Sequence, residues 1–208
     1  MLQSEVKEAV LKNLNDAGAT FFTHNDLSDS IQDAYDDIVA LSQCLVASIQ
    51  LSWQSELTYY FFETLGATNY LHTLAVFNHN TNRFLSDNLS LRDMDKLRLD
   101  WETWNGQPEM WCPHTFESVA IVPRPLIATG QYTLYYAKKA PALANDASVF
   151  LFTKHADDLV EHYVTADLLE QAEEFTKAAP FWKSYFDGVI SYKAQCHNIA
   201  KSDLMMRI

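Results

Sequence analysis

The chain has 208 residues, a mass of 23.8 kDa and 48% hydrophobic residues, which suits one domain or one domain with extended arms. Its formal net charge is −12, and the span between Lys12 and Arg83 contains no lysine or arginine. Since proteins bind DNA mainly by neutralising its phosphates with Lys and Arg, this charge excludes an ordinary DNA-binding protein. No apolar run reaches the ~18 residues of a membrane helix.

The N-terminal part of the chain shows helical spacing of its apolar residues. A first helix is predicted over residues 2–16, and a second begins near Asp26 and runs to about Gln50. Thr23, three residues ahead of Asp26, is a variant of the capping box that starts a helix. The acidic residues of the second helix fall mostly between its apolar positions: Asp29, Asp33, Asp36 and Asp37. We expect them on a solvated outer face, which by itself keeps a protein soluble.

The middle of the chain favours extended structure. Four segments are predicted to be strands: 57–62, 70–78, 115–122 and 131–137. A turn at 78–82 and a short helix at 90–101 lie between them. Pro123 and Pro125 end the third strand, because a proline cannot donate a hydrogen bond to a sheet.

Helical spacing returns near the C-terminus and predicts helices over 155–177 and 181–200, with an interruption at Pro180. The last residues are apolar for a chain end: Leu204, Met205, Met206 and Ile208. Chain ends are usually frayed and polar unless something binds them, so this segment is predicted to dock on a partner subunit.

Tryptophan, glycine and proline are concentrated between the short helix and the last strand. The candidate structural anchors are Trp101, Trp104, Gly106, Pro108, Trp111, Pro123 and Pro125. Aromatic residues beside glycine and proline more often fix a loop onto a core than form a platform for a sugar or base. We therefore predict a rigid structural element here.

Few residues suggest chemistry. His155, His162 and Asp158 could share a helix face, but no third or fourth metal ligand has suitable spacing. Cys112 lies near His114, although this spacing does not aim the imidazole at the sulfur. No phosphate-binding or nucleophile-elbow motif occurs. We predict no catalytic residue, no metal and no cofactor, and three reduced thiols.

Several motifs in order resemble the head-to-tail adaptor (connector) proteins of tailed bacteriophages, especially those of short-tailed phages. They are Thr23–Leu27 with the long helix, Leu91–Met94, Trp101 and Trp104 with Gly106–Trp111, Ile121–Pro125, Leu134–Tyr136, Pro141–Leu143 and Ala156–Leu169. The resemblance covers about residues 22–176. The sequence departs from the family at Leu57–Phe62, where the usual proline is missing, and after Phe181.

The resemblance implies a mainly α fold: an antiparallel helical bundle with a small antiparallel β element, a hairpin or small sheet, and a helical C-terminal extension. Residues 1–178 would form the adaptor core, and residues 179–208 the extension, which serves as a docking arm. The tryptophans would then fix the β element to the bundle, and the hairpin would be a ring or tail contact.

The implied function is structural. Copies would assemble as a ring, commonly of twelve, beneath the portal protein in the virion neck, after synthesis in the host bacterial cytoplasm. The ring would seal the DNA-filled head and offer a platform to a tail or nozzle protein, without membrane contact. DNA would pass along an acidic wall formed by Asp29, Asp33, Asp36 and Asp37. The alternatives are another neck component, such as a stopper or tail terminator, and a soluble enzyme or ligand-binding protein.

Overall fold

A computed structural model describes residues 2–16, 18–87, 90–115, 117–152 and 156–206, with side chains through residue 197. The chain divides into two compact units. A helical unit combines the chain up to Leu45 with the chain from Lys139 onward, and a sheet unit consists of Val46–Lys138.

The helical unit is built on four helices within the described residues: α1 (Gln3–Asn13), α2 (His24–Ser42), α4 (Asp157–Gln171) and α5 (Phe175–Met206). One apolar core joins them, and its centre includes Val6, Ile31, Tyr35, Val164 and Tyr185. The first turn of α1 is also tied to the loop before α4. Gln3 and Ser4 donate backbone N–H groups to the carbonyls of Ser148 and Asp146, at 3.0 and 3.1 Å.

The capping box predicted at the start of α2 is confirmed. The Thr23 hydroxyl accepts from the Asp26 backbone N–H at 3.2 Å, and the Asp26 carboxylate accepts from the Thr23 backbone N–H at 2.8 Å. The predicted end of this helix at Gln50 is wrong. α2 ends at Ser42, Gln43 adopts the left-handed conformation with φ 56°, and a strand follows.

The sheet unit contains α3 (Leu91–Leu97), a 3-10 helix (Trp101–Thr103) and two antiparallel sheets within the described residues. The strands are β1 (Val46–Ser52), β2 (Tyr59–Phe61), β3 (Tyr70–Asn78), β4 (Arg83–Phe84), β5 (Met110–Thr115), β6 (Ser118–Val122) and β7 (Gln131–Lys138). One sheet has the order β1-β7-β3-β4, and the other has the order β2-β6-β5.

β6 lies between two apolar cores of the sheet unit and is buried along its whole length. Val119 and Ile121 join a core with Trp111, while Ala120 and Val122 join a second core with Trp101. This division follows from strand geometry, since successive side chains point to opposite faces of a sheet.

The predicted mainly α fold is wrong. The structure is 42% helix and 24% strand, with sheets of four and three strands where one small β element was expected. The family resemblance implied that fold, and the reading of α2 as far as Gln50 also hid β1. Leu45 and Ile49 fit the helical spacing of α2, but Ala47, Ile49 and Leu51 alternate as a half-buried strand requires. β5 was also missed, because Pro113 within it is unusual for a strand.

The predicted interruption at Pro180 is also wrong, because α5 continues through this residue. A proline inside a helix removes one backbone hydrogen bond, to the residue four positions earlier. Buried side chains farther along α5 stabilise the helix against that loss; they include Tyr185, Val189 and Tyr192.

Candidate functional surfaces

The carboxylates predicted to line a channel lie along α2. Asp29, Asp33 and Asp36 are exposed, whereas Asp37 is half-buried. Partial burial raises the pKa of Asp33, and the nearby charges of Asp167, Asp36 and Asp29 raise it further. The α2 face is therefore an acidic surface whose charges repel one another.

Asp37 and Asp167 connect this acidic surface to the other helices. The Tyr185 hydroxyl on α5 donates to the Asp37 carboxylate, and the Ser30 hydroxyl donates to Asp167 on α4 at 2.6 Å. Tyr163 is close to both carboxylates; burial first, and then the charges of Asp167, Asp37 and Asp33, raise its pKa to about 12. Sequence reasoning missed Asp167 and both tyrosines, because helical periodicity gives the face of one helix but not its neighbours.

The possibility of a metal site at His155, His162 and Asp158 gains no support from the part of the chain that the structure describes. No group of three His, Cys, Asp or Glu side chains there could hold a metal ion. His155 lies outside the described residues. His162 has a buried Nδ1 without a hydrogen-bond partner among the described groups, and its ring centre is 6.1 Å from that of Phe181.

The three tryptophans of the anchor set occupy different positions in the sheet unit. Trp101 and Trp111 are each 4% exposed and belong to its two cores. The Trp101 indole donates to the Asp95 carboxylate at 2.8 Å. Trp104 is half-buried, with the Arg98 guanidinium 4.8 Å from its ring centre. The two buried rings are therefore not available as a stacking platform.

Gly106 and Pro123 lie beside a parallel β-bridge between Asn105 and Arg124. Gly106 donates to the carbonyl of Arg124 at 3.0 Å, and Arg124 donates to the carbonyl of Trp104 at 2.9 Å. A side chain at Gly106 would lie 3.2 Å from Pro123, which follows a cis peptide bond. Pro108 and Pro125 are buried as well, and the Pro125 carbonyl accepts from Glu56 at 2.9 Å.

The Cys112 thiol is not activated. It is 1% exposed, and burial raises its pKa to about 11. The His114 Nδ1 is 3.0 Å from the Ser118 hydroxyl, and the His114 ring lies against Tyr59 with 4.2 Å between ring centres. A nucleophilic cysteine needs a stabilised thiolate, so this pair lacks the electrostatics of a catalytic thiol.

The predicted docking residues lie at the C-terminal end of α5 and just beyond it. The α5 backbone extends to Met206, but the side chains of Leu204, Met205 and Met206 and the whole of Ile208 lie outside the described residues. Among the described residues, no helix combines the length and apolar character of a bilayer span.

The chain thus has a mixed α and β fold, with acidic candidate residues exposed on α2 and most anchor residues buried in the sheet unit. The chain belongs to the SU10 adaptor protein family, whose model matches residues 1–200. This is a family of structural phage proteins, so the chain is a virion component that interacts with other phage head or tail proteins. The predicted resemblance to phage head-to-tail adaptors is confirmed at the level of the family. A search of curated proteins finds no match.

Proposed function

We propose that the chain forms a ring of twelve copies between the portal and the tail of a short-tailed bacteriophage. The observation that carries this proposal is the adaptor-family match over residues 1–200. The ring seals the DNA-filled head and serves as the platform for a tail or nozzle protein. It occupies the virion neck, and its chains are made in the host bacterial cytoplasm.

The exposed carboxylates of α2 are proposed to line the DNA channel. Asp29, Asp33 and Asp36 are free to face a duplex, and Asp37 holds α2 to α5 through Tyr185. An acidic wall repels phosphates, so DNA passes without sticking. Support comes from the span between Lys12 and Arg83, in which no lysine or arginine offsets these charges.

The anchor residues are proposed to hold the β5–β6 hairpin rigid as a ring or tail contact. Trp101 and Trp111 fill the cores on either side of β6, and the β-bridge between Asn105 and Arg124 holds the chain just after the strand. Residues 179–208 are proposed to be a docking arm whose last residues bind the portal.

A cryo-EM reconstruction of the neck of the intact particle tests the proposal. We expect a symmetric ring of this chain in contact with the portal on one side and a tail protein on the other. Location at the distal end of the neck or at the tail end would identify a stopper or tail terminator instead. A chain absent from purified virions would overturn the proposal.

A further inference from the structure

α5 carries apolar side chains on a face that does not contact the core of the helical unit. We call Phe175, Phe186 and Ile190 the α5 stripe; they are 63%, 53% and 70% exposed. They recur at helical spacing, so they share one side of the helix. Trp182 links the stripe to α4. Its ring stacks on Phe186, and its indole N–H donates to the Glu170 carboxylate on α4 at 2.7 Å.

A second exposed apolar surface lies at the start of α1. We call Leu2, Val149 and Leu151 the α1 patch; they are 37%, 56% and 56% exposed. Leu2 and Val149 are partners in an antiparallel β-bridge, so their side chains are neighbours on one face. Grouped apolar side chains exposed on a folded unit are a feature of interaction sites.

The helices that carry the α1 patch and the α5 stripe pack separately on α4. α4 is the central helix of the helical unit, because Val164, Thr165 and Ala166 are all fully buried while successive helical residues point about 100° apart. α1 and α5 each pack on α4, and within the described residues they do not form a packed pair with each other. They therefore cover different sides of α4.

The charges beside the two surfaces are mainly opposite in sign. Glu5 and Glu8 are exposed on α1; the Glu5 carboxylate accepts a hydrogen bond from the Leu2 backbone N–H at 2.7 Å, and Glu8 lies about one turn farther along the helix. Lys183 and Lys193 are exposed on α5, on or beside the line of the α5 stripe, and Asp187 is also exposed between them. Contact between the two surfaces would bury apolar area at the centre and place opposite charges around it, as in other specific interfaces.

We propose that the α5 stripe of one copy docks on the α1 patch of the next copy, and that this contact closes the ring. The inference rests on the proposed ring and names its subunit interface. A ring requires a head-to-tail contact between two different surfaces of one subunit. Two different apolar surfaces with mainly opposite flanking charge, on helices that pack separately on α4, meet that requirement.

Photo-crosslinking in assembled particles tests the interface. A photoreactive amino acid replaces Ile190, with Ser184 on the polar side of α5 as the matched control position. We expect a crosslink from position 190 to residues 2–8 or 149–151 of a second copy, and none to these residues from position 184. Peptide mass spectrometry identifies the crosslinked pair.

The possible outcomes separate this interface from the ring itself. A crosslink from position 190 to another region of a second copy, or to another virion protein, would overturn the proposed interface. The ring itself would still be tested by the cryo-EM reconstruction. No crosslink from position 190 would also overturn the proposed interface. If purified particles contain one copy of the chain or none, the proposed function itself is refuted.

A charge exchange provides a second test. Glu8→Lys and Lys193→Glu are each expected to lower incorporation of the chain into particles on the order of tenfold, and the double variant is expected to recover it. Gln195→Glu, on the polar side of α5, is the control. Circular dichroism and thermal melting of each purified variant verify folding. Equal losses in all variants, or no recovery in the double variant, would contradict the interface.

Discussion

The carboxylate of Asp16 organises the loop between α1 and α2. It accepts hydrogen bonds from the Thr20 hydroxyl at 2.6 Å and from the backbone N–H groups of Thr20, Phe21 and Phe22 at 3.0 to 3.2 Å. These bonds, with the Thr20 hydroxyl first, hold the pKa of Asp16 well below its usual range. The loop therefore owes part of its stability to one ionised side chain.

We predict that replacing the Asp16 side chain lowers the free energy of unfolding by an amount that depends on pH. Because the folded pKa is depressed, the contribution of Asp16 is present above the unfolded pKa of about 3.9 and is lost as the pH falls towards the folded value. Asp16→Asn should lower the free energy of unfolding at pH 7, and the difference from the native chain should shrink below about pH 4. Urea unfolding across this pH range measures it, with Asp29→Asn as control.

Gly130 is a position where the backbone approaches an aromatic ring. A methyl group at this position would overlap the indole of Trp53, which is 6% exposed and stacks on Tyr132. Gly130→Ala should therefore destabilise the sheet unit by about 1–3 kcal/mol, the usual range for overpacking. Urea unfolding measures the effect. Gly18→Ala, whose methyl group would make an ordinary 3.4 Å contact with Thr20, is expected to be nearly neutral.

At the scale of elements, the sequence predicted local features such as the start of a helix, but not the distant segment with which a strand pairs. The capping box at Thr23 is a short-range pattern, and it marked the start of α2 correctly. β1 was hidden because its apolar residues also fit the helix before it. Its pairing with β7, such as Val46 with Ala137, depends on a segment 91 positions away, which periodicity does not reveal.

The same limit applies to the candidate surfaces. The exposed positions of Asp29, Asp33 and Asp36 follow from the spacing of α2 alone. The hydrogen bond between Tyr185 and Asp37 joins residues 148 positions apart, and it depends on how α2 and α5 pack. The β-rich character of the sheet unit was underestimated for a similar reason, since short strands carry little periodic signal.

Neutralising the α2 face tests the proposed channel. The triple variant Asp29→Asn, Asp33→Asn and Asp36→Asn should release DNA more slowly from particles at low salt. The difference should shrink as the salt concentration rises, because the screening length falls to about 10 Å at 0.1 M. DNA release measured by dye binding gives the rates. An unchanged rate at low salt would argue against an acidic channel wall.

The same variant gives a matching stability measurement. The pKa of Asp33 is raised in the folded chain, so its charge costs stability as the pH rises through the folded value. The triple variant is therefore expected to be at least as stable as the native chain at pH 7, with a gain of at most a few tenths of a kcal/mol for such exposed charges. A slow release of DNA would then reflect the channel and not unfolding.

At the scale of the whole molecule, the C-terminal segment is proposed to bind the portal. Deleting residues 202–208 should leave the helical unit folded, because it keeps every described core residue of α5, from Tyr185 to Tyr192, and the partly buried Cys196. Attachment to portal-bearing heads should fall roughly 30-fold, the effect of losing one interface hot spot of about 2 kcal/mol. Co-sedimentation with heads measures attachment, and unchanged attachment would refute the docking role.

The chain enters and leaves the sheet unit on paired strands. Val46 at the start of β1 is the partner of Ala137 near the end of β7, so the two connections are about 5 Å apart. Replacing residues 46–138 with a linker of about four residues should leave a helical unit that unfolds cooperatively. Circular dichroism during urea unfolding would detect the transition, and adding Val164→Asp, in the core, should abolish it.

The sheet unit lies between the two halves of the helical unit in the sequence, so the two units can fold at different stages of synthesis. The sheet unit is one continuous segment, so it can fold once the ribosome has released residue 138. α1 and α2 are made first but must wait for α4 and α5 to bury residues such as Val6 and Ile31. The helical unit is therefore completed only after α4 and α5 have been made, and a growing chain lacks the outer surface of α5 until then.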